Sequence, residues 1–229
     1  MKKLSLLFTK DGLQWHISKG KTVLEEAFHF VTEETSPHLV EEKLDDVLKF
    51  DDYKEIEVIS ALNHFSLTPD TFAEHELGYK LISYNAPVDE ANEELMLSVN
   101  KRFAVQFYYT FPKHFYQKIK AKKLPTKFNF SGEKFLNALT VKNHKEIHIN
   151  LYHHQVEFFA FENKKVVLYN NLDADSEVDF LYFIMFSLSK INFGTAETHF
   201  HIYGETHENE TFISELKKFV KNIKLKDAG

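Results

Sequence analysis

The sequence predicts an α/β protein that contains two copies of one unit, in which three strands precede a helix, a fourth strand and a second helix. Two observations support this prediction. Near the start of the chain, short strand-like runs separated by turn residues stand before an amphipathic helical segment, and the same order returns from Glu146 onward. The length of 229 residues, 43% of them hydrophobic, suffices for one large domain or two small lobes.

The first copy begins with a predicted hairpin, because Lys10-Asp11-Gly12 separates two apolar runs and both Asp and Gly tolerate a positive φ in a turn. The segment Thr68-Pro69-Asp70-Thr71 predicts a helix start, since it offers a capping hydroxyl, a proline and a first-turn acid. The predicted elements are strands 4–9, 13–18 and 22–31, a helix over 39–48, a strand over 56–62 and a helix from 68–71.

The second copy contains a clear helix start at Ser176-Glu177-Val178-Asp179, which has the pattern of a capping box. The helix that follows is apolar on nearly all sides, so it is predicted to be buried. The predicted elements are strands 146–153, 156–161 and 166–169, a helix to about residue 191, a strand over 198–203 and a last helix with apolar positions from 212 to 223. The segment between the copies predicts helices over 90–99, 112–122 and 131–140 and strands over 103–110 and 127–130.

This order resembles the actin-like ATPase (ribonuclease H-like) fold, with the actin-like proteins of pilus assembly as more distant relatives. Four strings resemble an uncharacterised bacterial family, domain of unknown function 3822. The resemblance implies a first actin-like lobe over 1–142, including the inserted segment, and a second lobe over 143–229. The strings are Phe65-Ser66-Leu67-Thr68-Pro69, Val166-Val167-Leu168-Tyr169-Asn170-Asn171, Asp179-Phe180-Leu181-Tyr182 and Ile202-Tyr203-Gly204.

The resemblance implies where a nucleotide would bind, and it makes Asp11, Gly12, Asn150, His153 and Gly204 the candidate residues of an ATP and Mg²⁺ cleft. Actin-like nucleotide binding needs small residues at the first hairpin of each lobe, so that backbone N–H groups approach the phosphates, and Asp to organise Mg²⁺. The first hairpin keeps one Asp-Gly pair, and the second has neither residue type. The late strand is followed by one glycine where the fold usually has two. The sequence therefore predicts degenerate ATPase motifs, no catalytic residues and no bound cofactor.

Histidine is abundant, with 13 residues, and the alternation His199-Phe200-His201 places two imidazoles on one strand face. His148 lies on a strand that the topology places in the same sheet, and Glu197 is a further potential ligand. No compact zinc motif accompanies them, and buried or edge histidines with ordinary partners are commoner. The sequence analysis therefore assigns no metal ligands.

The segment 113–127 interleaves lysines with aromatic residues, as nucleic-acid or anionic-surface patches do. The formal net charge of −6 and the presence of a single arginine, Arg102, favour an ordinary solvated lysine face instead. The acidic pairs near residues 41–52 are interpreted in the same way. Nucleic acid is therefore not the expected partner.

The longest apolar block, 180–188, is about half the roughly 20 residues that a membrane span requires. The chain has no cysteine and no complete signal-peptide core near Met1, so a cytoplasmic location is expected. The resulting hypothesis is a non-catalytic actin-like protein that binds or scaffolds an unknown protein partner. Two alternatives stay open, namely an ATP-binding protein with an atypical cleft and a nucleic-acid or anionic-surface binder that uses the lysines of 113–127.

Overall fold

The structure, a computed structural model, describes residues 1–32, 34–36, 38–152, 155–173, 176–204, 206 and 209–226. The chain forms two compact units, Met1–Lys134 and Phe135–Gly229. The lobe boundary that the sequence predicts after residue 142 lies slightly beyond this division and stays a prediction. Among the described residues, no helix is long and apolar enough to cross a membrane.

The first unit contains a mixed five-stranded sheet and a smaller three-stranded sheet. Its elements are β1 (Lys2–Thr9), β2 (Gly12–Lys19), β3 (Thr22–Phe30), α1 (Leu39–Leu48), β4 (Glu55–Ser60), β5 (Phe65–Pro69), a 3₁₀ turn (His75–Leu77), α2 (Gly78–Ser83), β6 (Glu93–Asn100), β7 (Val105–Pro112), α3 (Lys113–Ala121), β8 (Thr126–Phe130) and the start of α4 (Ser131–Ala138). The large sheet has the strand order β3-β2-β1-β4-β8, and the small one has the order β5-β7-β6. Leu44 and Val47 of α1 and Ile119 of α3 contribute to the buried cluster of the large sheet.

Two of the predicted helices of this unit are wrong. The segment predicted as a helix over 90–99 forms strand β6, which pairs antiparallel with β7 from Glu93 to Asn100. The segment predicted as a helix start at Thr68 ends strand β5, and Pro69 pairs with Val105. Proline is tolerated there because β5 is an edge strand, where an amide donor is not needed on the outer side.

The second unit repeats the arrangement of the large sheet. Its elements are the end of α4, β9 (Glu146–Tyr152), β10 (Gln155–Glu162), β11 (Lys165–Asp173), α5 (Glu177–Lys190), β12 (His199–Gly204), α6 (Glu210–Lys217) and β13 (Asn222–Leu225). The strand order is β11-β10-β9-β12-β13, the same as in the first unit position for position. In both units the first two strand pairings are antiparallel and the last two are parallel. The predicted repeat of three strands, helix and strand is therefore present twice.

Helix α5 begins where the sequence predicts, because the Ser176 hydroxyl accepts a hydrogen bond from the Asp179 backbone N–H. The prediction that this helix is wholly buried is wrong, since Val178, Tyr182 and Phe186 on one face are exposed. The last predicted helix is too long. It ends at Lys217, and Ile223 lies on the additional strand β13.

Glu57 of β4 is the centre of a cluster of charged and polar side chains in the first unit. Its carboxylate accepts hydrogen bonds from Lys3 Nζ at 2.6 Å, Lys134 Nζ at 2.7 Å and Asn129 Nδ2 at 2.9 Å. Burial alone would raise the pKa of Glu57, but the ammonium groups of Lys134 and Lys3 outweigh it and hold the pKa below its ordinary value.

Because this pKa is lower in the folded chain, the Glu57 carboxylate stabilises the fold above the ordinary glutamate pKa of 4.5 and loses that contribution as the pH falls through the folded value. We expect Glu57→Gln to lower the free energy of unfolding at pH 7 by about 1 kcal/mol, since the lysine ends are partly solvated. Urea denaturation between pH 7 and pH 3 checks this. The difference between variant and wild type should shrink below pH 4.5, whereas the control Glu55→Gln on the same strand should change little. A difference that is independent of pH would contradict the cluster's role.

Candidate functional site

The first candidate turn, between β1 and β2, is a tight hairpin. Thr9 pairs with Gly12, so only Lys10 and Asp11 form the loop. Asp and Gly tolerate a positive φ, but none of the three turn residues Lys10, Asp11 and Gly12 adopts one. The Asp11 backbone carbonyl accepts a hydrogen bond from the Val31 N–H at 2.6 Å. The end of β3 therefore closes over this turn.

Close packing explains why residue 12 is a glycine. A Cβ atom at this position would lie 2.4 Å from the His29 backbone oxygen and 2.7 Å from Cδ1 of Phe30. The space that glycine leaves open is thus filled by the neighbouring strand β3.

The candidate residues Asn150 and Gly204 lie together where β9 and β12 end. Gly204 has a φ of +82°, and a Cβ atom there would lie 2.2 Å from the Leu151 backbone oxygen and 2.7 Å from Asn150 Oδ1. The Asn150 amide donates to Glu157 Oε2 at 3.3 Å. Both residues are therefore engaged with neighbouring strands. The remaining candidate, His153, lies outside the described residues.

One face of the second sheet carries a buried polar layer centred on Glu157 of β10. The opposite face is apolar and packs against α5 and α6. Glu157 is fully buried, and its carboxylate accepts hydrogen bonds from Tyr169 Oη at 2.8 Å and from Tyr152 Oη at 3.0 Å. Next to it, Gln155 Nε2 donates to Asn171 Oδ1 at 2.8 Å. Such a layer is costly to bury unless its groups are paired, and these pairs meet that requirement.

The same face contains a cluster of Glu146, His148 and His201, whose ligating atoms all lie within 4.8 Å of one another. Parallel pairing of β9 with β12 places His148 directly beside His201. His148 Nε2 lies 3.3 Å from Glu146 Oε2, and His201 Nε2 lies 3.4 Å from Glu146 Oε1. The two imidazoles stack, with centroids 4.6 Å apart.

Sequence reasoning found the two histidines and missed the carboxylate. Glu197, which the sequence offered as a further ligand, accepts a hydrogen bond from the Gly194 N–H at 3.1 Å and is not in the cluster. The His199 ring instead packs against that of His144 at an angle of 45°, with centroids 4.3 Å apart. The signal that could have found the site is the alternation of Glu146 and His148 on one strand beside the paired histidines of β12.

The electrostatics of the cluster favour neutral imidazoles beside a charged carboxylate. Burial, with the neighbouring His201, lowers the pKa of His148 to about 4. Burial also lowers the pKa of His201. The pKa of Glu146 lies below its ordinary value, because the Lys142 backbone N–H and His148 outweigh the effect of burial. At pH 7 the cluster therefore carries one negative charge.

Three of the lysines of 113–127 contact acidic or carbonyl groups of the first unit. Lys118 Nζ lies 2.7 Å from Glu41 and 2.9 Å from Asp45, both on α1. Lys122 Nζ lies 2.9 Å from Asp51. Lys113 Nζ donates to the backbone carbonyls of residues 90 and 91. The acidic pairs near 41–52 thus partly neutralise the lysine segment.

Strand β3 is an edge strand of the first sheet and presents exposed apolar side chains. Val23 is 49% exposed, Leu24 is 49% exposed and Phe28 is 54% exposed. An edge strand with such side chains is a template for another strand, which native proteins usually cover or disrupt with charges.

Comparison with solved structures identifies the fold. The chain is similar to a Bacteroides thetaiotaomicron protein with an actin-like ATPase fold and unknown function, at 21% identity and a TM-score of 0.82, over 98% of this chain and 90% of that one. It also resembles the PilM–PilN type IV pilus biogenesis complex, at 9% identity and a TM-score of 0.62, over 98% of this chain and 88% of that one.

A third similar structure is the cytoplasmic domain of EpsL, an inner-membrane component of the type II secretion system of Vibrio cholerae, at 8% identity and a TM-score of 0.58. The match covers all of this chain and 90% of that one. These likenesses show that the chain has the actin-like ATPase fold, as the sequence predicts. No curated protein matches this chain. The family described as "Protein of unknown function (DUF3822)" matches residues 1–223, and the chain belongs to that family.

Proposed function

We propose that this chain is a cytoplasmic, non-catalytic actin-like protein that binds another protein as a scaffolding module. The observation that carries the proposal is the packing at Gly12, where the backbone of β3 lies against the position of a Cβ atom, so close packing accounts for this glycine without a phosphate. The crowding of Gly204 against Leu151 gives further support at the end of β12. A protein with this fold whose glycines serve packing and not phosphate binding would function through its surfaces.

Strand β3 supplies the surface that best fits a protein partner. Its outer edge offers backbone N–H and C=O groups, which are satisfied most completely by an extended strand of another chain. The register with β2 shifts at Leu24, so Val23 and Phe28 lie on one side of the strand and are two exposed apolar anchors for side chains of the added segment. We therefore propose that the partner contributes an extended, apolar segment that pairs with β3.

One similar solved structure supports a role in assembly, because it is a complex of PilM with PilN. That structure concerns PilM and its partner. At 9% identity, the likeness shows only that this chain has a similar fold. For this chain, the proposal of a protein partner depends on β3.

The lysine segment favours the protein partner over nucleic acid. Affinity for a nucleic-acid backbone requires lysines that neutralise phosphates. Lys118 and Lys122 already form ion pairs with carboxylates of the same unit, so binding a phosphate backbone would have to break those pairs. We propose that DNA and RNA are not partners of this chain.

Site-specific photocrosslinking tests the proposed surface. A photoreactive residue at position 24, on β3, is compared with one at position 182, which is also exposed but lies on α5. A protein crosslinked from position 24 is then purified, and its affinity for the unaltered chain is measured. We expect Phe28→Lys to weaken this affinity at least tenfold, because it places a charge in a partly apolar contact.

The matched control is Tyr182→Lys, which introduces the same charge on an exposed aromatic of the other unit and should leave the affinity unchanged. Equal loss in both variants, or none in either, would contradict the role of β3. A homodimer that dissociates in the Phe28→Lys variant, measured by light scattering, would replace the partner with a second copy and contradict the proposal as stated.

A further inference from the structure

The cluster of Glu146, His148 and His201 has the chemistry of a metal site. Two imidazoles and one carboxylate form the three-residue ligand set found in many zinc sites, in which a water or substrate takes the fourth position. All three side chains come from adjacent positions on the paired strands β9 and β12. A sheet fixes the positions of its side chains firmly, so the geometry is preorganised.

The ligating atoms are spaced widely enough for an ion to lie between them, since all of them lie within 4.8 Å of one another. Ligand atoms about 2.0 to 2.1 Å from a tetrahedral zinc ion lie about 3.3 to 3.4 Å from one another. His148 Nε2 lies 3.3 Å from Glu146 Oε2, to which it is hydrogen-bonded, and His201 Nε2 lies 3.4 Å from the other carboxylate oxygen, Oε1. A charge-assisted hydrogen bond between an imidazole and a carboxylate is normally shorter, about 2.7 to 2.9 Å.

Two buried polar atoms of the cluster have no hydrogen-bond partner. Glu146 is fully buried and His201 is 9% exposed, yet Glu146 Oε1 and His201 Nδ1 make no hydrogen bond. His144 Nε2 lies 3.0 Å from Glu146 Oε1, but this contact lacks hydrogen-bond geometry. Unsatisfied buried groups of this kind are rare in native proteins, and an absent ion is one of their recognised causes.

We propose that Glu146, His148 and His201 form a binding site for a divalent transition-metal ion, for which zinc is the best match. Neutral imidazoles and a deprotonated carboxylate are the forms of these side chains that ligate a metal. The ion would also compensate the buried negative charge of Glu146. The sequence predicts no metal ligands because no compact zinc motif accompanies its histidines, and Glu146 was not among the candidate ligands.

Neighbouring groups orient the ligands, as in known zinc sites. Tyr203 Oη lies 3.1 Å from His148 Nδ1, so this ring nitrogen can donate to the hydroxyl while Nε2 faces the ion. Burial raises the pKa of Tyr203 to about 12, and the hydroxyl therefore stays neutral. The Lys142 backbone N–H donates to Glu146 Oε2 at 2.9 Å and holds the carboxylate.

Calorimetric titration of the chelator-treated full chain with Zn²⁺ tests the proposal, and Co²⁺ serves as a spectroscopic probe. We expect one ion per chain and the intense visible bands of four-coordinate Co²⁺. Replacing His148 or His201 with alanine should weaken Zn²⁺ binding at least 100-fold. Tyr203→Phe should weaken it about tenfold, as loss of an outer partner does elsewhere.

His114→Ala is the matched control, because it removes an exposed histidine of α3 and should leave the affinity unchanged. Circular dichroism establishes that each variant is folded. If His148→Ala does not fold, the Co²⁺ spectrum of the unaltered chain and the His201→Ala variant decide the matter. Absent Co²⁺ bands, or Zn²⁺ binding that survives the loss of His201, would overturn the proposal and assign any binding to surface histidines.

Discussion

Replacing Gly204 with alanine is expected to lower the free energy of unfolding by about 4 kcal/mol. The backbone φ of +82° is unfavourable for any residue with a Cβ atom, and the added Cβ would lie 2.2 Å from the Leu151 carbonyl oxygen. Backbone strain and overpacking each cost about 1 to 3 kcal/mol in such cases. The measurement is equilibrium denaturation in urea.

The control separates the two causes. Gly20 also has a positive φ, +63°, but no atom lies within 4 Å of the position of its Cβ. Gly20→Ala should therefore cost only about 1 kcal/mol, the price of the left-handed backbone. If the two substitutions lowered the free energy of unfolding equally, the close packing of Gly204 against Leu151 would be contradicted.

Replacing Glu157 with alanine is expected to lower the free energy of unfolding by a similar amount, about 4 kcal/mol. The substitution removes the shared acceptor of Tyr152, Tyr169 and Asn150 in a buried layer. Each buried donor that loses its acceptor costs about 1 to 3 kcal/mol. Urea denaturation followed by circular dichroism measures the change.

Two comparisons make this prediction specific. Glu157→Gln retains one acceptor oxygen and the shape of the side chain, so it should cost roughly half as much. Glu162→Ala, at the exposed end of the same strand, should stay within about 0.5 kcal/mol of the wild type. A Glu157→Ala variant as stable as Glu162→Ala would show that the polar layer contributes no stability.

The features that the sequence predicts well are those with local causes. The hairpins follow from turn residues between apolar runs, and the start of α5 follows from the hydroxyl of Ser176 three residues before the first-turn acid Asp179. The repeat of the unit could be recognised because the same local signals occur twice in the same order. These signals do not depend on distant parts of the chain.

The errors arose where pairing with a distant strand overrides local preference. The segment Glu93–Asn100 is rich in Glu, Leu and Met, which favour helices, but pairing with β7 makes it a strand. Pro69 looked like a helix start because the sequence does not reveal that β5 is an edge strand.

The candidate site was only half predictable for the same reason. The alternation of His199 and His201 is visible in the sequence, but the register between β9 and β12 decides that His201 lies beside His148, with Glu146 diagonal to it. Likewise, Gly12 is a plausible phosphate-binding glycine until β3 is seen to fill the space beside it. Long-range register and packing, which no local pattern encodes, therefore decided both positions.

The central claim, that this actin-like protein does not bind a nucleotide, is tested most directly by its melting temperature with and without millimolar ATP and Mg²⁺. ADP and GTP serve as comparisons, and Mg²⁺ alone controls for effects of the ion on the histidine cluster. A ligand at about a hundred times its dissociation constant stabilises a protein by about 2.7 kcal/mol, which is easily measured as a shift. We predict no shift with any nucleotide, and a rise specific to ATP would contradict the account.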